Sequence, residues 1–145
     1  MIELTRRYQF SASHRLHSSR LTEEENRRLY GKCNNPHGHG HNYVLEVRVR
    51  GPVDAQSGCA GRLAVLDRLV RERVLEAFDH RNLNTQVEEF RGDLVPTTEN
   101  LARVIRQRLS AAWPQAFPGG WPRLKKIRIA ETERNIFELD GTDDQ

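Results

Sequence analysis

Two stretches of the sequence alternate between apolar and polar residues, and this alternation constrains the fold more than any other feature. The first covers residues 2–10 and the second covers residues 43–50, after which Gly51 and Pro52 interrupt it. Successive side chains of a β-strand point to opposite faces, so a period of two is typical of a strand with one buried face. The sequence therefore predicts two half-buried strands.

Two other segments, residues 63–78 and residues 97–113, place apolar residues at helical spacing. Each is therefore predicted to be an amphipathic helix with one buried stripe. A shorter helix is predicted at residues 22–30, because Thr22 and Glu25 form the pattern of a capping box.

Two further alternating segments, residues 124–131 and residues 135–139, are separated by a short polar link that is typical of a hairpin. The long elements thus follow the order strand, strand, helix, helix, strand, strand. This order predicts an α+β fold with one four-stranded antiparallel sheet and both long helices on one of its faces. We expect residues 1–140 to form a single domain and residues 141–145 to form a disordered tail.

Composition argues against several classes of protein. The two cysteines cannot form a disulfide framework, the first residues lack the layout of a signal peptide, and no apolar run approaches the roughly 18 residues of a membrane span. We therefore expect a cytoplasmic protein with no membrane segment. The net charge is +3, but lysine and arginine are spread along the chain without a basic stripe interleaved with aromatic residues. We therefore expect no nucleic-acid partner.

A run of alternating histidines and glycines precedes the second strand. On an extended segment, two histidines separated by one residue point to the same side, so either His37 with His39 or His39 with His41 could bind one metal ion. Zinc favours imidazole nitrogen, and a catalytic zinc typically has three protein ligands. His14 is well placed to be the third if the first two strands pair. His17 is a further candidate, and the alternative for the whole run is a flexible surface loop.

Four residues near the ends of predicted elements could take part in chemistry. Cys33 lies beside the histidines, where a metal ion could lower its pKa and make it a base or a nucleophile; the alternative is a small buried side chain. Asp79 and His80 close a helix and could form a carboxylate-imidazole pair for proton transfer, or could simply end that helix. Glu131 could bind a guanidine-like edge of a heterocycle, or could be an ordinary strand-end carboxylate. Cys59 has no such neighbours and is interpreted as structural.

Five ordered motifs together resemble the 6-pyruvoyl-tetrahydropterin synthase family over nearly the whole chain. The motifs are residues 10–16, 31–43, 79–83, 97–100 and 131–132. The resemblance implies a T-fold, in which three subunits close their sheets into a barrel and two trimers stack as a hexamer. It also implies a pterin triphosphate as substrate and active sites at subunit interfaces.

The resemblance assigns roles to individual residues of this sequence. It implies a zinc site of three histidines, namely His14, His39 and His41. It implies a group that moves protons, namely Cys33 as the base with Asp79 and His80 as a relay. It implies a group that binds the pterin ring, namely Glu131 as the anchor with Thr97, Thr98 and Glu99 near it.

The implied reaction converts 7,8-dihydroneopterin triphosphate to 6-pyruvoyl-tetrahydropterin and eliminates triphosphate, with Zn²⁺ as the only cofactor. An alternative product remains open, because the spacing from Cys33 to His37 is similar to that of 6-carboxytetrahydropterin synthase of the queuosine pathway, which also releases acetaldehyde. A different class, a non-catalytic binding module stabilised by zinc, would use Cys33 as a fourth ligand. Arg15, Lys32 and Arg20 are candidates for binding the triphosphate.

Overall fold

Two long antiparallel strands form the centre of the sheet in the computed structural model, which describes residues 1–141. Strand β1 (Ile2–His14) pairs with strand β2 (His39–Gly51) from end to end. Both strands extend beyond the alternating segments and include the histidines at their ends. The predicted hairpin is also present, with its two strands antiparallel to each other.

The sheet has five strands rather than the predicted four, and it is mixed rather than wholly antiparallel. The additional strand, β3 (Arg81–Asn82), pairs in parallel with β1. Strands β4 (Arg123–Ala130) and β5 (Ile136–Asp140) complete the order β3-β1-β2-β4-β5. A strand as short as β3 has no alternation that a sequence pattern could reveal, and this is why it was not predicted.

The long helices lie where the spacing predicted them, although their details differ. The helices are α1 (Glu23–Tyr30), α2 (Leu63–Val70), α3 (Glu76–Phe78), α4 (Leu83–Gln86) and α5 (Thr98–Ala116). A π-helical turn (Arg71–Leu75) joins α2 to α3, so that the segment predicted as one helix contains a local widening. Helix α5 continues past Pro114, where the sequence predicted it to end.

One face of the sheet packs against the long helices and the other carries charged side chains. The buried apolar side chains of β2 are Tyr43, Leu45, Val47 and Val49. They form one core with apolar residues of α2 and α5. On the opposite face, Glu46 accepts hydrogen bonds from Arg7 at 3.2 Å and from Arg128 at 3.0 Å. The two-layer α+β architecture is therefore confirmed.

Two further features are the position of Gly141 and the character of the helices. Of the predicted tail, residues 142–145 lie outside the described residues, while Gly141 is buried and donates its N–H to the carbonyl of Lys125 at 2.9 Å. Within residues 1–141, no helix is both long enough and apolar enough to cross a membrane.

A bidentate ion pair between Arg108 and Glu89 generates the first prediction. Arg108 donates to the two carboxylate oxygens at 2.7 and 2.6 Å, and these bonds hold the pKa of Glu89 below its ordinary value. The pair therefore stabilises the fold above about pH 4.3, the ordinary glutamate pKa, and this stabilisation is lost as the pH falls through the lower pKa of the folded state. We expect Glu89→Gln to lower the free energy of unfolding by about 0.5–1 kcal/mol near neutral pH.

Urea unfolding of the two proteins at equal protein concentration measures this difference, which should disappear below about pH 3. Glu72→Gln is the matched control, because Glu72 is exposed in the π-helical turn between α2 and α3. A loss of stability that is as large in strong acid as at neutral pH would contradict the prediction.

Candidate active site

Three histidines meet on the helix-covered face of the sheet, at the end where β1 stops and β2 begins. The strand register places His14 opposite His39 and Ala12 opposite His41. The Nε2 atoms of His14 and His39 are 3.3 Å apart, and one nitrogen from each of the three rings lies within 4.8 Å of the others. His14 is fully buried, and His39 and His41 are partly buried. The structure therefore brings together the three histidines that the sequence proposed as metal ligands.

Burial and a backbone hydrogen bond fix the protonation of His14. Its Nδ1 lies 2.9 Å from the carbonyl oxygen of Pro96, which only accepts, so Nδ1 carries the hydrogen and Nε2 is free to bind a metal. The Tyr43 hydroxyl lies 3.4 Å from the same Nδ1. Burial lowers the pKa of His14 to about 4, and burial also lowers the pKa of His41. Neutral imidazoles are the form that metal ions bind.

The donor set fits zinc. Two nitrogen ligands of a tetrahedral zinc ion, at bond lengths of about 2.0–2.1 Å, stand about 3.3–3.4 Å apart. The separation of 3.3 Å between the Nε2 atoms of His14 and His39 matches this value. Among the described residues, His39 Nδ1 and His41 Nε2 are buried without a hydrogen-bond partner. Leaving such an atom unsatisfied costs about 1–3 kcal/mol, so the arrangement favours a bound cation.

The other two candidate histidines lie outside this cluster. His37 is exposed and precedes the start of β2. Its backbone N–H donates to the side-chain oxygen of Asn35 at 3.1 Å. The Nδ1 atom of His17 lies 3.0 Å from the side-chain amide nitrogen of Asn34. Within residues 1–141, the group able to hold a metal consists of histidines alone and does not include Cys33. This composition fits a three-ligand catalytic site better than a closed structural site.

Cys33 lies in the 3-10 turn (Gly31–Asn34) that leads towards β2. Its carbonyl accepts a hydrogen bond of 2.7 Å from the N–H of Leu16, which ties this turn to the chain that leaves β1. The thiol is partly buried. Burial, and secondarily the negative charge of Glu131, raise the pKa of Cys33, whereas the sequence led us to expect a lower pKa beside a bound metal ion. The thiol is thus close enough to Glu131 for the negative charge of the carboxylate to act on it.

Glu131 follows the last residue of β4 and contacts both the histidines and the start of α5. Its Oε2 accepts a hydrogen bond from the hydroxyl of Thr98 at 3.0 Å, and its Oε1 lies 3.1 Å from His41 Nε2. Thr97 has a different task, because its hydroxyl accepts the N–H of Asn100 and caps helix α5. Glu99 is exposed in the first turn of α5. Of the three residues expected near the anchor, Thr98 is the one that contacts Glu131.

Asp79 and His80 lie at the outer edge of β1. One oxygen of Asp79 accepts the N–H of Ser11 at 2.9 Å, and the other is 3.1 Å from Nδ1 of His80. His80 has a positive φ of 58° and an 83% exposed side chain. It lines an open cavity of about 440 Å³ together with His41, Asn42 and other residues. Among the described contacts of this pair, none joins it to Cys33 or to His14.

Two groups of the site were not identified from the sequence. Tyr43 shares the parity of His39 and His41 on β2, so the alternation could have placed it on the same face. The carbonyl of Pro96 is part of the backbone and has no signal in the sequence.

Of the three residues proposed to bind the triphosphate, Arg15 donates from Nε to the carbonyl of Asn34 at 3.1 Å. The other two candidates, Lys32 and Arg20, are exposed.

The chain is similar to known proteins over nearly its whole length. The family model for 6-pyruvoyl tetrahydropterin synthase matches residues 3–142. A 6-pyruvoyl tetrahydrobiopterin synthase of Poecilia reticulata is 47% identical over 95% of this chain and 89% of its own length. The structure of 6-pyruvoyl tetrahydropterin synthase from Caenorhabditis elegans superposes with a TM-score of 0.85 at 42% identity, covering 97% of this chain and 96% of that one. A putative 6-carboxy-5,6,7,8-tetrahydropterin synthase of Archaeoglobus fulgidus is 32% identical over 70% of this chain and 74% of its own length.

The histidine cluster generates the second prediction. Because His41 directs a buried ring nitrogen into the cluster and His37 is exposed, we expect His41→Ala to weaken zinc binding and the matched control His37→Ala to leave it unchanged. The loss of a direct ligand should exceed the roughly 10–100-fold loss that follows removal of an outer-shell partner. Competition with a chelator of known zinc affinity measures the effect. Equal affinities of the two variants would show that His41 is not a ligand.

Proposed function

The chain belongs to the 6-pyruvoyl tetrahydropterin synthase family, and on that premise we propose that it is a zinc-dependent lyase. Its substrate is 7,8-dihydroneopterin triphosphate, and its products are 6-pyruvoyl-tetrahydropterin and triphosphate. The observation that carries the proposal is the cluster of His14, His39 and His41, with Glu131 and Cys33 near it. Identity to a relative named for the pyruvoyl product, 47%, exceeds identity to the relative named for the carboxy product, 32%.

Glu131 is the proposed anchor of the pterin ring. The ring edge presents two N–H groups in a guanidine-like arrangement, and a carboxylate with two acceptor oxygens can bind both of them. Thr98 restrains the carboxylate through its hydrogen bond of 3.0 Å to Oε2. Because Thr98 is 2% exposed and lies at the start of a long helix, its hydroxyl has a fixed position and holds the Glu131 carboxylate in place. The ring is thereby positioned relative to the histidines.

His14, His39 and His41 would hold the zinc ion. A bound Zn²⁺ supplies Lewis-acid chemistry, which polarises oxygen atoms of the substrate side chain and acidifies the adjacent C–H groups. The contribution of the chain is to orient the imidazoles. The Pro96 carbonyl does so for His14 through its 2.9 Å contact with Nδ1.

Cys33 is the proposed base that removes a proton from the substrate side chain. Burial and the charge of Glu131 raise the pKa of this thiol, so the positive charge of a cation at the histidines is needed to favour the thiolate. Asp79 and His80 form the proposed relay on the other side of the substrate. Asp79 holds Nδ1 of His80 at 3.1 Å, which leaves Nε2 of the exposed ring to give or take a proton.

Within residues 1–141, no hydrogen bond or ion pair joins Asp79 or His80 to the three histidines of the same chain, although His80 and His41 line one cavity. Asp79 and His80 bond instead to Ser11. We therefore propose a trimer, or a hexamer of two trimers, in which the exposed His80 of one copy completes the site of its neighbour. Two free cysteines and the absence of a membrane-spanning helix among residues 1–141 support the cytoplasm as the compartment of this assembly.

Product analysis tests the proposed function. The zinc-loaded protein is mixed with 7,8-dihydroneopterin triphosphate, and the products are identified by mass spectrometry. We expect triphosphate and 6-pyruvoyl-tetrahydropterin in equal amounts. Acetaldehyde together with the carboxy product would assign the chain to the 6-carboxytetrahydropterin branch instead. The absence of triphosphate release would overturn the lyase assignment and favour a zinc-stabilised binding module.

Cys33 generates the third prediction. Since Cys33 is outside the group of metal ligands, Cys33→Ala should bind zinc as the unmodified protein does and should lose turnover. We expect kcat to fall by about 10²–10⁴-fold, the usual contribution of a positioned acid-base group. Cys59→Ala is the matched control and should retain full activity, because Cys59 is exposed in a distant loop. Loss of zinc from Cys33→Ala would instead identify Cys33 as a ligand.

A further inference from the structure

We propose that the open cavity beside His80 binds the triphosphate of the substrate, and that Arg81 is the residue that pairs with the phosphate charge. This inference rests on the proposed function, since it names the part of the chain that recognises the leaving group. The candidates taken from the sequence for this task, Arg15, Lys32 and Arg20, do not line this cavity.

Arg81 is an exposed cation without a partner. It belongs to the short strand β3 and lines the cavity together with His80. Among residues 1–141, its guanidinium takes part in no hydrogen bond and no ion pair. The described residues that line the cavity include no aspartate and no glutamate. The guanidinium is therefore free to bind a phosphate group through two parallel hydrogen bonds.

Two amide side chains of the cavity use their oxygens within the chain and keep their nitrogens available. The side-chain oxygen of Asn82 accepts the N–H groups of Asn84 and Thr85 at 2.9 and 3.3 Å. The side-chain oxygen of Gln86 accepts the N–H of Asn82 at 2.7 Å. Because a backbone N–H only donates, these bonds fix which end of each amide is the oxygen. The two NH₂ groups have no partner within residues 1–141 and can donate to a ligand.

Strands β1 and β2 add further donors to the same cavity. The side-chain oxygen of Asn42 accepts the hydroxyl of Ser11 at 2.6 Å, so its NH₂ group is left to donate. Ser13 also lines the cavity, and its hydroxyl has no partner in the described part of the chain. Phosphate oxygens only accept hydrogen bonds, so one guanidinium surrounded by N–H and O–H donors is complementary to a polyphosphate. The volume of about 440 Å³ is within the range of about 300–1,000 Å³ that is typical of ligand sites.

A second cavity, of about 350 Å³, contains two arginines but is less suited to a polyphosphate. Arg15 and Arg27 line it together with Glu23, whose carboxylate repels phosphate. The Nε of Arg15 already donates to the carbonyl of Asn34 at 3.1 Å. The balance of charge and of free donors therefore favours the cavity beside His80.

The position of Arg81 directly after the relay gives this cavity a place in the proposed site. Strand β3 pairs with β1, with Arg81 opposite Ala12, and His80 precedes it in the chain. In the proposed oligomer, a copy that supplies His80 to a neighbouring site therefore supplies Arg81 to that site as well. The triphosphate is then bound beside the relay, while the pterin ring is bound by Glu131 of the neighbouring copy.

Substitution of Arg81 in the zinc-loaded protein tests the proposal. Isothermal titration calorimetry measures the binding of inorganic triphosphate and of neopterin, which has the ring and the side chain without the phosphates. We expect Arg81→Gln to weaken the binding of inorganic triphosphate by about 10–100-fold, the loss that follows removal of hydrogen bonds from a charged group. The affinity for neopterin should stay unchanged. Arg103→Gln is the matched control, because Arg103 is exposed on helix α5 and does not line the cavity.

A second variant tests the same cavity without removing the arginine. Gln86→Glu keeps an oxygen that can accept the N–H of Asn82, so the local fold is retained, but it replaces the free NH₂ group with a negative charge. We expect it to weaken the binding of inorganic triphosphate by about 10-fold or more and to leave the binding of neopterin unchanged. Gln107→Glu, at an exposed position of α5, introduces the same charge elsewhere and should bind both ligands as the unmodified protein does.

The outcomes separate this inference from the proposed function. If the enzyme converts its substrate but Arg81→Gln and Gln86→Glu bind inorganic triphosphate as the unmodified protein does, the inference is overturned and the proposed function stands. Equal losses of affinity for neopterin and for triphosphate would show that the substitutions disturb the whole site, and would also overturn it. A selective loss of triphosphate binding in a protein without turnover would support the cavity as a polyphosphate site and refute the proposed lyase.

Discussion

The antiparallel register between β1 and β2 is the constraint on which the rest of the structure depends. It sets His14 opposite His39 and, on the same face, Phe10 opposite Tyr43. A slip of one residue would move every side chain of one strand to the other face of the sheet. Such a slip would expose the apolar residues of β2 and separate the histidines in the same step. The packing of the core therefore holds the three histidines in register.

The start of helix α5 then connects the two halves of the site. Pro96, just before the helix, fixes the tautomer of His14, and Thr98, its first residue, restrains the carboxylate of Glu131. Both contacts come from a segment that is buried by the helix packing against the sheet. Burial also has an electrostatic effect, because it lowers the pKa of His14 and so keeps the imidazole available as a ligand. The burial of the start of helix α5 thus affects the protonation of His14 and the positions of His14 and Glu131 together.

The sequence was sufficient to predict those features of the site that follow from the alternation of apolar and polar residues along the strands. His14 continues the parity of Phe10, and His37, His39 and His41 share the parity of Tyr43, so pairing of the strands predicted a cluster of histidines at this end of the sheet without fixing all of its members. Sequence could not choose between His37 and His41, because the choice depends on where β2 begins, and it begins at His39. It also could not reveal the carbonyl of Pro96, which reaches His14 from 82 residues away. Contacts of the backbone over such a separation leave no pattern in the side chains.

Strand β1 contacts both the pair Asp79 and His80 and the histidine cluster, on opposite faces of the sheet. Both backbone groups of Ser11 bond to the pair Asp79 and His80. The N–H of Ser11 donates to the Asp79 carboxylate at 2.9 Å, and the carbonyl of Ser11 accepts the backbone N–H of His80 at 2.6 Å. These bonds maintain the left-handed backbone of His80, a conformation that persists only where the surroundings determine it. Ser11 and His14 differ in parity, so they face opposite sides of the strand. In the proposed oligomer, β1 therefore contributes a metal ligand to one site and presents the relay to a neighbouring site.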